Sequence, residues 1–490
     1  LTSDLKARVG RLNDILCTVN TLNWDARTQM PTGGAETRGQ QIATLMGIAR
    51  EMILDPAMQD AVEAAGDDPA AAEVQGAIRH HSRLPAELLR QKAEQATVAS
   101  AAWQKARETS DFALFQPHLE RVVALARQSA EALGYDGHPY DPMVQIYEPG
   151  ETAASLSAFF DRLRAGILPV LDRARARPAP RTDFLYRDFP PELQQRFAAD
   201  TATALGYDFS RGRLDTAVHP FEVSFTRNDV RITSRWPRGY LPMSIFGSIH
   251  EVGHALYEQG VAPQHTRGAF ATDMIGLYAV GGTSFGMHES QSRLLENHVG
   301  RTAAFWAVHY SRLRDTFPEQ LRDVTAEEFI AAINRVEPGP IRVESDELTY
   351  DLHIMLRVKI EMALMDGSLA VADIPHVWRE AMQEDLGVTV ENDAQGCLQD
   401  VHWSVGYIGS FPTYSIGNAT AAQLMGHFDE SAPDVRRALD RADTGPLRAA
   451  LGDAVWQHGR TLSRAQILER LGLVANDTTA YVDYLAGRFA

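Results

Sequence analysis

Five consecutive residues constrain this chain more than anything else in it: His250-Glu251-Val252-Gly253-His254. On a helix, positions four apart share one face, about 40° from one another around the axis. Two imidazoles one turn apart can grip a single divalent ion, with zinc the default for such donors. Glu251 stands beside the first imidazole, where a carboxylate can take a proton from an attacking water that a metal has made acidic. The flanks suit a helix, with Ser248 before the pair and Ala255-Leu256-Tyr257-Glu258 after it. Gly253 weakens a helix interior but permits close packing behind a metal. A catalytic zinc needs a third protein ligand and an open position. Extension of the motif to a third histidine fails, because Tyr257 and Gly260 occupy the required positions. The segment Met287-His288-Glu289-Ser290-Gln291-Ser292-Arg293 offers Glu289, 39 residues past His250, with His288 and Glu296 as rivals.

Most of the chain reads as helix. Leu156, Phe159, Phe160, Leu163, Ile167 and Leu171 recur at helical spacing, with Thr152 as the N-cap and Pro169 as a kink. Ala70–Ile78 and Ser100–Leu133 are dominated by good helix formers, and Pro117 is expected to break the second. Arg173–Pro180 ends a helix in an exposed connection. Near residue 219 the pattern changes. Two β-prone runs, Glu222–Thr226 and Val230–Thr233, flank Arg227-Asn228-Asp229 and predict a small hairpin. Helical patterns return from Met243 and continue to the end. No glycine-rich phosphate loop follows a strand, so a dinucleotide fold has no support.

The balance of 47 basic against 64 acidic residues gives a formal charge of −17. An acidic surface repels nucleic acid and anionic membranes, so neither is expected as a partner. Two cysteines, Cys17 and Cys397, exclude a disulfide framework and fit a reducing compartment, the cytoplasm. The sequence opens without a basic-then-apolar leader pattern. Gly268–Met287 carries one charge, Asp273, and reaches the ~20 residues that cross a bilayer. It lies among polar motifs and nothing else resembles it, so it is assigned to the protein interior.

With its HExxH at His250–His254 and its HESQS at His288–Ser292, the sequence resembles the thermostable carboxypeptidase Taq family of zinc metallocarboxypeptidases. Further family motifs stand in order: HPF at His219–Phe221, DxRxT at Asp229–Thr233, an IRxEADE-like run at Ile341–Glu347, and GxxQDxHW at Gly396–Trp403. Trp24-Asp25 with Met30–Gly34 and Arg38, and Phe411–Tyr414 with Gly417-Asn418, are also similar to the family. The matches run from about residue 20 to 420. Ser345 departs from the usual Ala or Gly, and Ser410 stands where many members carry tyrosine, which leaves open which tyrosine faces the substrate.

The resemblance implies a mainly α fold: a saddle-like helical body with a deep groove and a small sheet near the active site. It implies one catalytic domain over 1–490, with a helical N-terminal half (1–200) that can serve as a lid, a zinc-binding core (201–420) and C-terminal helices (421–490). It implies a homodimer that releases single C-terminal residues from peptides with broad tolerance, using zinc, with cobalt or manganese as substitutes. It places the ligands on His250, His254 and Glu289, and the general base on Glu251. An exopeptidase must also hold a free carboxylate, for which a guanidinium fork is best suited. Arg342 is the main anchor, and Arg231 a helper or a structural partner of Asp229. His219 and Tyr414, then Tyr407, are candidates to stabilise the oxyanion. Asp400 and His402 are candidates to orient the ligand imidazoles. The alternatives are an endopeptidase or aminopeptidase on the same zinc helix, and a peptide-binding protein with a relict site.

Overall fold

The computed structural model describes residues 2–489, and helices dominate it. Two compact units divide the chain. The first comprises Leu1–His81, Pro180–Asn334 and Thr420–Ala475; the second comprises Ser82–Ala179, Arg335–Ala419 and Asn476–Ala490.

In the first unit the motif helix, Leu241–Gly260, lies at the centre. Pro242 in its first turn suits a position whose N–H has no intrahelical partner. Apolar residues occur on almost every side of it, and a helix of that kind has to be buried. Ile245, Ile249, Val252 and Leu256 are all buried against Phe197, Val230, Ile232, Leu294 and Trp306. Each such side chain contributes about 1.5–3 kcal/mol relative to exposure. These contacts fix the rotation of the helix, and with it the direction of its polar face.

The sheet beside it has three strands, β1 (Leu214–Thr216), β2 (Glu222–Thr226) and β3 (Asp229–Ser234), in the order β1-β3-β2. Strands β2 (Glu222–Thr226) and β3 (Asp229–Ser234) form the expected hairpin, antiparallel with Val223 opposite Arg231. Its turn is Arg227-Asn228, one residue shorter than the sequence implied, because Asp229 pairs with Thr226 across a register shift. Strand β1 (Leu214–Thr216) pairs parallel to β3 and was not expected. Three residues are too few to show a period.

At the N-terminus of the same unit, helix Ser3–Thr28 carries Trp24 and Asp25, and Arg38 donates to Asp25 at 2.6 Å. Gly268–Met287 forms short turns and then enters a helix at Phe285. Asn20 donates to Ala279 O from helix Ser3–Thr28, which holds this stretch within the unit. Among the described residues no helix is long and apolar enough to cross a membrane.

In the second unit, helix Ala153–Arg175 is capped by Thr152, whose side chain and that of Ser155 satisfy each other's backbone N–H groups. The helix runs on through Pro169. Pro117 does not break a helix. The interruption comes earlier, where Ser110 adopts the left-handed conformation, and Pro117 lies in the first turn of Gln116–Leu133. A proline at that position loses no hydrogen bond.

Candidate metal centre

Two helices of the first unit build the site. The motif helix presents His250 and His254, and helix Phe285–Arg293 presents Glu289. Ser284 caps the second helix by accepting from Met287 N–H. Gly253 sets the separation of the two helices. A Cβ at that position would fall 2.5 Å from both Gln291 O and Ser292 Cα. The close approach inferred from a glycine in this motif is therefore present, and it brings Glu289 within reach of both imidazoles.

The Oε2 of Glu289 lies 3.5 Å from His250 Nε2 and 3.3 Å from His254 Nε2. All three donor atoms lie within 4.8 Å of one another. Donors held ~2.1 Å from a tetrahedral ion are about 3.4 Å apart, so this set fits a metal ion. The rivals for the third position are on the opposite edges of the rings. Glu296 Oε2 meets His250 Nδ1 at 3.0 Å, and His288 Nδ1 meets His254 Nδ1 at 2.5 Å. Glu296 reaches its position from a π-helical turn, Leu294–Gly300, that continues the second helix.

Arginines hold the carboxylates in place. Arg293 Nε donates to Glu289 Oε1 at 2.7 Å, and Ser292 Oγ donates to Oε2 at 3.2 Å. Arg301 donates to Glu296 at 2.9 Å. Burial opposes charge on the two imidazoles and the three carboxylates. It would lower the His250 pKa, yet Glu289 and Glu296 push it up to about 10. It takes His254 down to about 3, with Glu289 opposing. Burial pushes Glu251 up to about 7, against the attraction of His250. Glu251 is 6 % exposed, on the same helix as both imidazoles. Burial would raise Glu289 too, but His250 and Arg293 hold it well below the usual carboxylate range.

The second unit holds Arg342 and Tyr414. Arg342 is buried, with Nε and NH2 donating to Asp400 Oδ1 at 3.0 and 2.8 Å and NH1 donating to Tyr350 OH at 3.1 Å. Asp400 also accepts from Arg357 Nε at 2.6 Å. Tyr414 OH lies 3.2 Å from His402 Nε2, and its ring faces Arg342. Asp400 and His402 thus serve Arg342, Arg357 and Tyr414, and they do not orient the ligand imidazoles. The Nδ1 atoms of His250 and His254 face Glu296 and His288. Arg231, in the first unit, gives Nε and NH2 to Asp229 at 2.9 and 2.8 Å and lies over Trp24 and Phe225. It is the structural partner of Asp229. His219 is exposed in the connection between β1 and β2, and Tyr407 is 43 % exposed.

Sequence reading gave no role to Glu258, Arg293 or Arg301. Glu258 was legible in principle, since His250, His254 and Glu258 repeat every four residues along one helix face.

The model of the carboxypeptidase Taq (M32) metallopeptidases matches residues 4–489. Thermostable carboxypeptidase 1 of Thermus thermophilus is 36 % identical, over 95 % of this chain and 94 % of that protein. Carboxypeptidase 1 of Bacillus subtilis is 33 % identical, over 99 % and 97 %. The crystal structure of the M32 carboxypeptidase from Deinococcus radiodurans superposes with a TM-score of 0.94 at 36 % identity, covering 99 % of this chain and 98 % of that one.

Proposed function

Because the chain belongs to the carboxypeptidase Taq (M32) family of metallopeptidases, we propose that it removes single residues from peptide C-termini with His250, His254 and Glu289 as zinc ligands. One observation carries the metal assignment: the Nε2 atoms of two imidazoles converge on one carboxylate oxygen, at 3.5 and 3.3 Å. Zinc bound there supplies a Lewis acid and lowers the pKa of water, and cobalt or manganese suits the same donors.

The remaining chemistry belongs to the chain's own residues. Glu251 takes the proton of the attacking water and delivers it to the departing amine. Burial keeps its carboxylate basic enough for that task. Arg293 and Arg301 restrain Glu289 and Glu296 without occupying the imidazole edges. Arg342 anchors the terminal carboxylate of the peptide. Asp400 and Tyr350 hold its fork rigid, so little freedom is lost when an anion binds. Tyr414 and His219 donate to the developing oxyanion. Arg231 supports β3 through Asp229. The enzyme works as a cytoplasmic homodimer whose whole span, 1–490, forms one catalytic domain.

Metal analysis coupled to residue-by-residue release from short peptides tests this reading. One equivalent of metal and sequential release from free C-termini are expected, with none from amidated peptides. Equal cleavage of amidated peptides would show an endopeptidase or aminopeptidase instead. Sedimentation checks the dimer.

A further inference from the structure

We propose that His288 and Glu258 set the tautomer of His254, so that its Nε2 faces the metal position with a bare lone pair. The proposal rests on the reading of His254 as a metal ligand. His288 would then be a positioning residue, acting on the ion only through His254.

The bonds form a directed chain. Glu258 lies one turn beyond His254 on the motif helix. Its two oxygens accept from Gly281 N–H at 3.1 and 2.8 Å, and one of them from Gly282 N–H at 2.8 Å. A carboxylate gripped by backbone donors is ionised and can only accept. His288 Nε2 lies 3.0 Å from Glu258 Oε1, so Nε2 carries the hydrogen. A neutral imidazole has one N–H, which leaves His288 Nδ1 as an acceptor. His254 Nδ1 is 2.5 Å from that nitrogen and has to donate to it. His254 Nε2 therefore carries no hydrogen, and it points at Glu289 Oε2 across 3.3 Å. A lone pair facing a carboxylate oxygen is favourable only with a cation between them.

Glu258 is the carboxylate within hydrogen-bond reach of His288 Nε2. Glu222 Oε2 is 3.9 Å from His288 Nε2, beyond hydrogen-bond reach. A Cβ at Gly282 would fall 2.3 Å from His288 Cδ2, so the ring seats only against glycine. The tautomer imposed on His254 is the reverse of the one that predominates for a free imidazole side chain in water.

The test uses the full chain, with zinc affinity measured against a competing chelator and nitrogen-15 spectra of labelled histidines recorded without added metal. His288→Leu should weaken zinc binding about 10- to 100-fold, as expected for loss of a partner behind a ligand. His288→Asn, whose side-chain oxygen can accept from Nδ1–H, should recover most of the loss. Glu258→Gln keeps the shape and removes the charge, and should fall between wild type and His288→Leu. The wild-type spectrum should show His254 protonated at Nδ1, and His288→Leu should shift it toward Nε2. Unchanged zinc affinity in a folded His288→Leu protein, or equal losses in the Leu and Asn variants, would overturn the proposal. So would a wild-type His254 protonated at Nε2, a result that needs no variant to fold. Failure of the wild type to bind zinc would remove the metal assignment, while the tautomer measurement would still decide the role of His288.

Discussion

Each unit buries a cluster of charged side chains, and the two clusters differ in the kind of atom they bring together. In the first unit, Glu251, Glu289 and Glu296 lie with Arg293 and Arg301 around two imidazoles, and imidazole and carboxylate atoms converge on one point. In the second unit, Arg342 and Arg357 share the single carboxylate of Asp400. Buried charge is costly unless it is paired. A cluster with surplus acceptors is completed by a cation, and one with surplus guanidinium by an anion. Under the proposed function, the first cluster is assigned to the ion and the second to the terminal carboxylate of the substrate.

The largest expected effect isolates chemistry from charge balance in the first cluster. Glu251→Gln should retain zinc while lowering kcat about 10³-fold or more, since a positioned base contributes about 10² to 10⁴. Stopped assays alongside metal analysis would show it, and undiminished turnover would remove Glu251 as the base. Next in size is a purely geometric change. Gly253→Val places a side chain where even a Cβ comes within 2.5 Å of the facing backbone. Separating the helices should cost about 1–3 kcal/mol of stability and strip the site of metal, because Glu289 would no longer reach both rings. Chelator competition and denaturant unfolding measure the two effects. Normal zinc affinity would mean that the helix spacing does not set the ligand geometry.

The difference between the clusters also shows what the amino-acid sequence can disclose. The first was legible because His250 and His254 lie one turn apart on a single helix, and periodicity is a local property. Gly253 was legible for the same reason. Glu289 was one of three rivals until a family resemblance singled it out, and the structure shows why spacing could not decide. All three rivals contact the imidazoles, and only the edge each one touches distinguishes ligand from support. In the second cluster Arg342, Arg357 and Asp400 come from three separate segments, and no period links them. Asp400 was expected behind the imidazoles, and it accepts instead from Arg342 and Arg357. Arg231 was expected as a substrate helper or as a partner of Asp229, and the ion pair with Asp229, on its own strand, is present. The sheet shows the same limit: the hairpin was local and visible, while β1 is three residues long and its residues pair with partners eighteen positions away.

If the second cluster serves an anion, Arg342→Ala should raise KM for peptides with a free C-terminus about 10-fold or more, in line with the loss of a charge-assisted pair. Amidated or esterified analogues should lose far less. The remaining guanidinium, Arg357, is fully buried and donates to Asp400 and to His353 O, so it is not placed to substitute. Equal effects on both substrate types would assign Arg342 to structure alone and would collapse the contrast between the clusters.

The smallest effect concerns the pH dependence of stability. Burial would raise the Asp400 pKa, but Arg342 and Arg357 hold it well below the usual carboxylate range. A carboxylate depressed in the folded state contributes stability above its unfolded pKa of about 3.9 and loses that contribution as pH falls toward the folded value. Asp400→Asn has no proton to exchange there. Urea unfolding of wild type and variant should therefore give a stability difference that is constant near neutrality. Below about pH 4 the difference should narrow, approaching a slope of about 1.4 kcal/mol per pH unit. A difference independent of pH down to the acid limit of folding would mean that Asp400 does not carry the charge that balances the two arginines. The surplus in the second cluster would then be larger than one, and its preference for an anion correspondingly stronger.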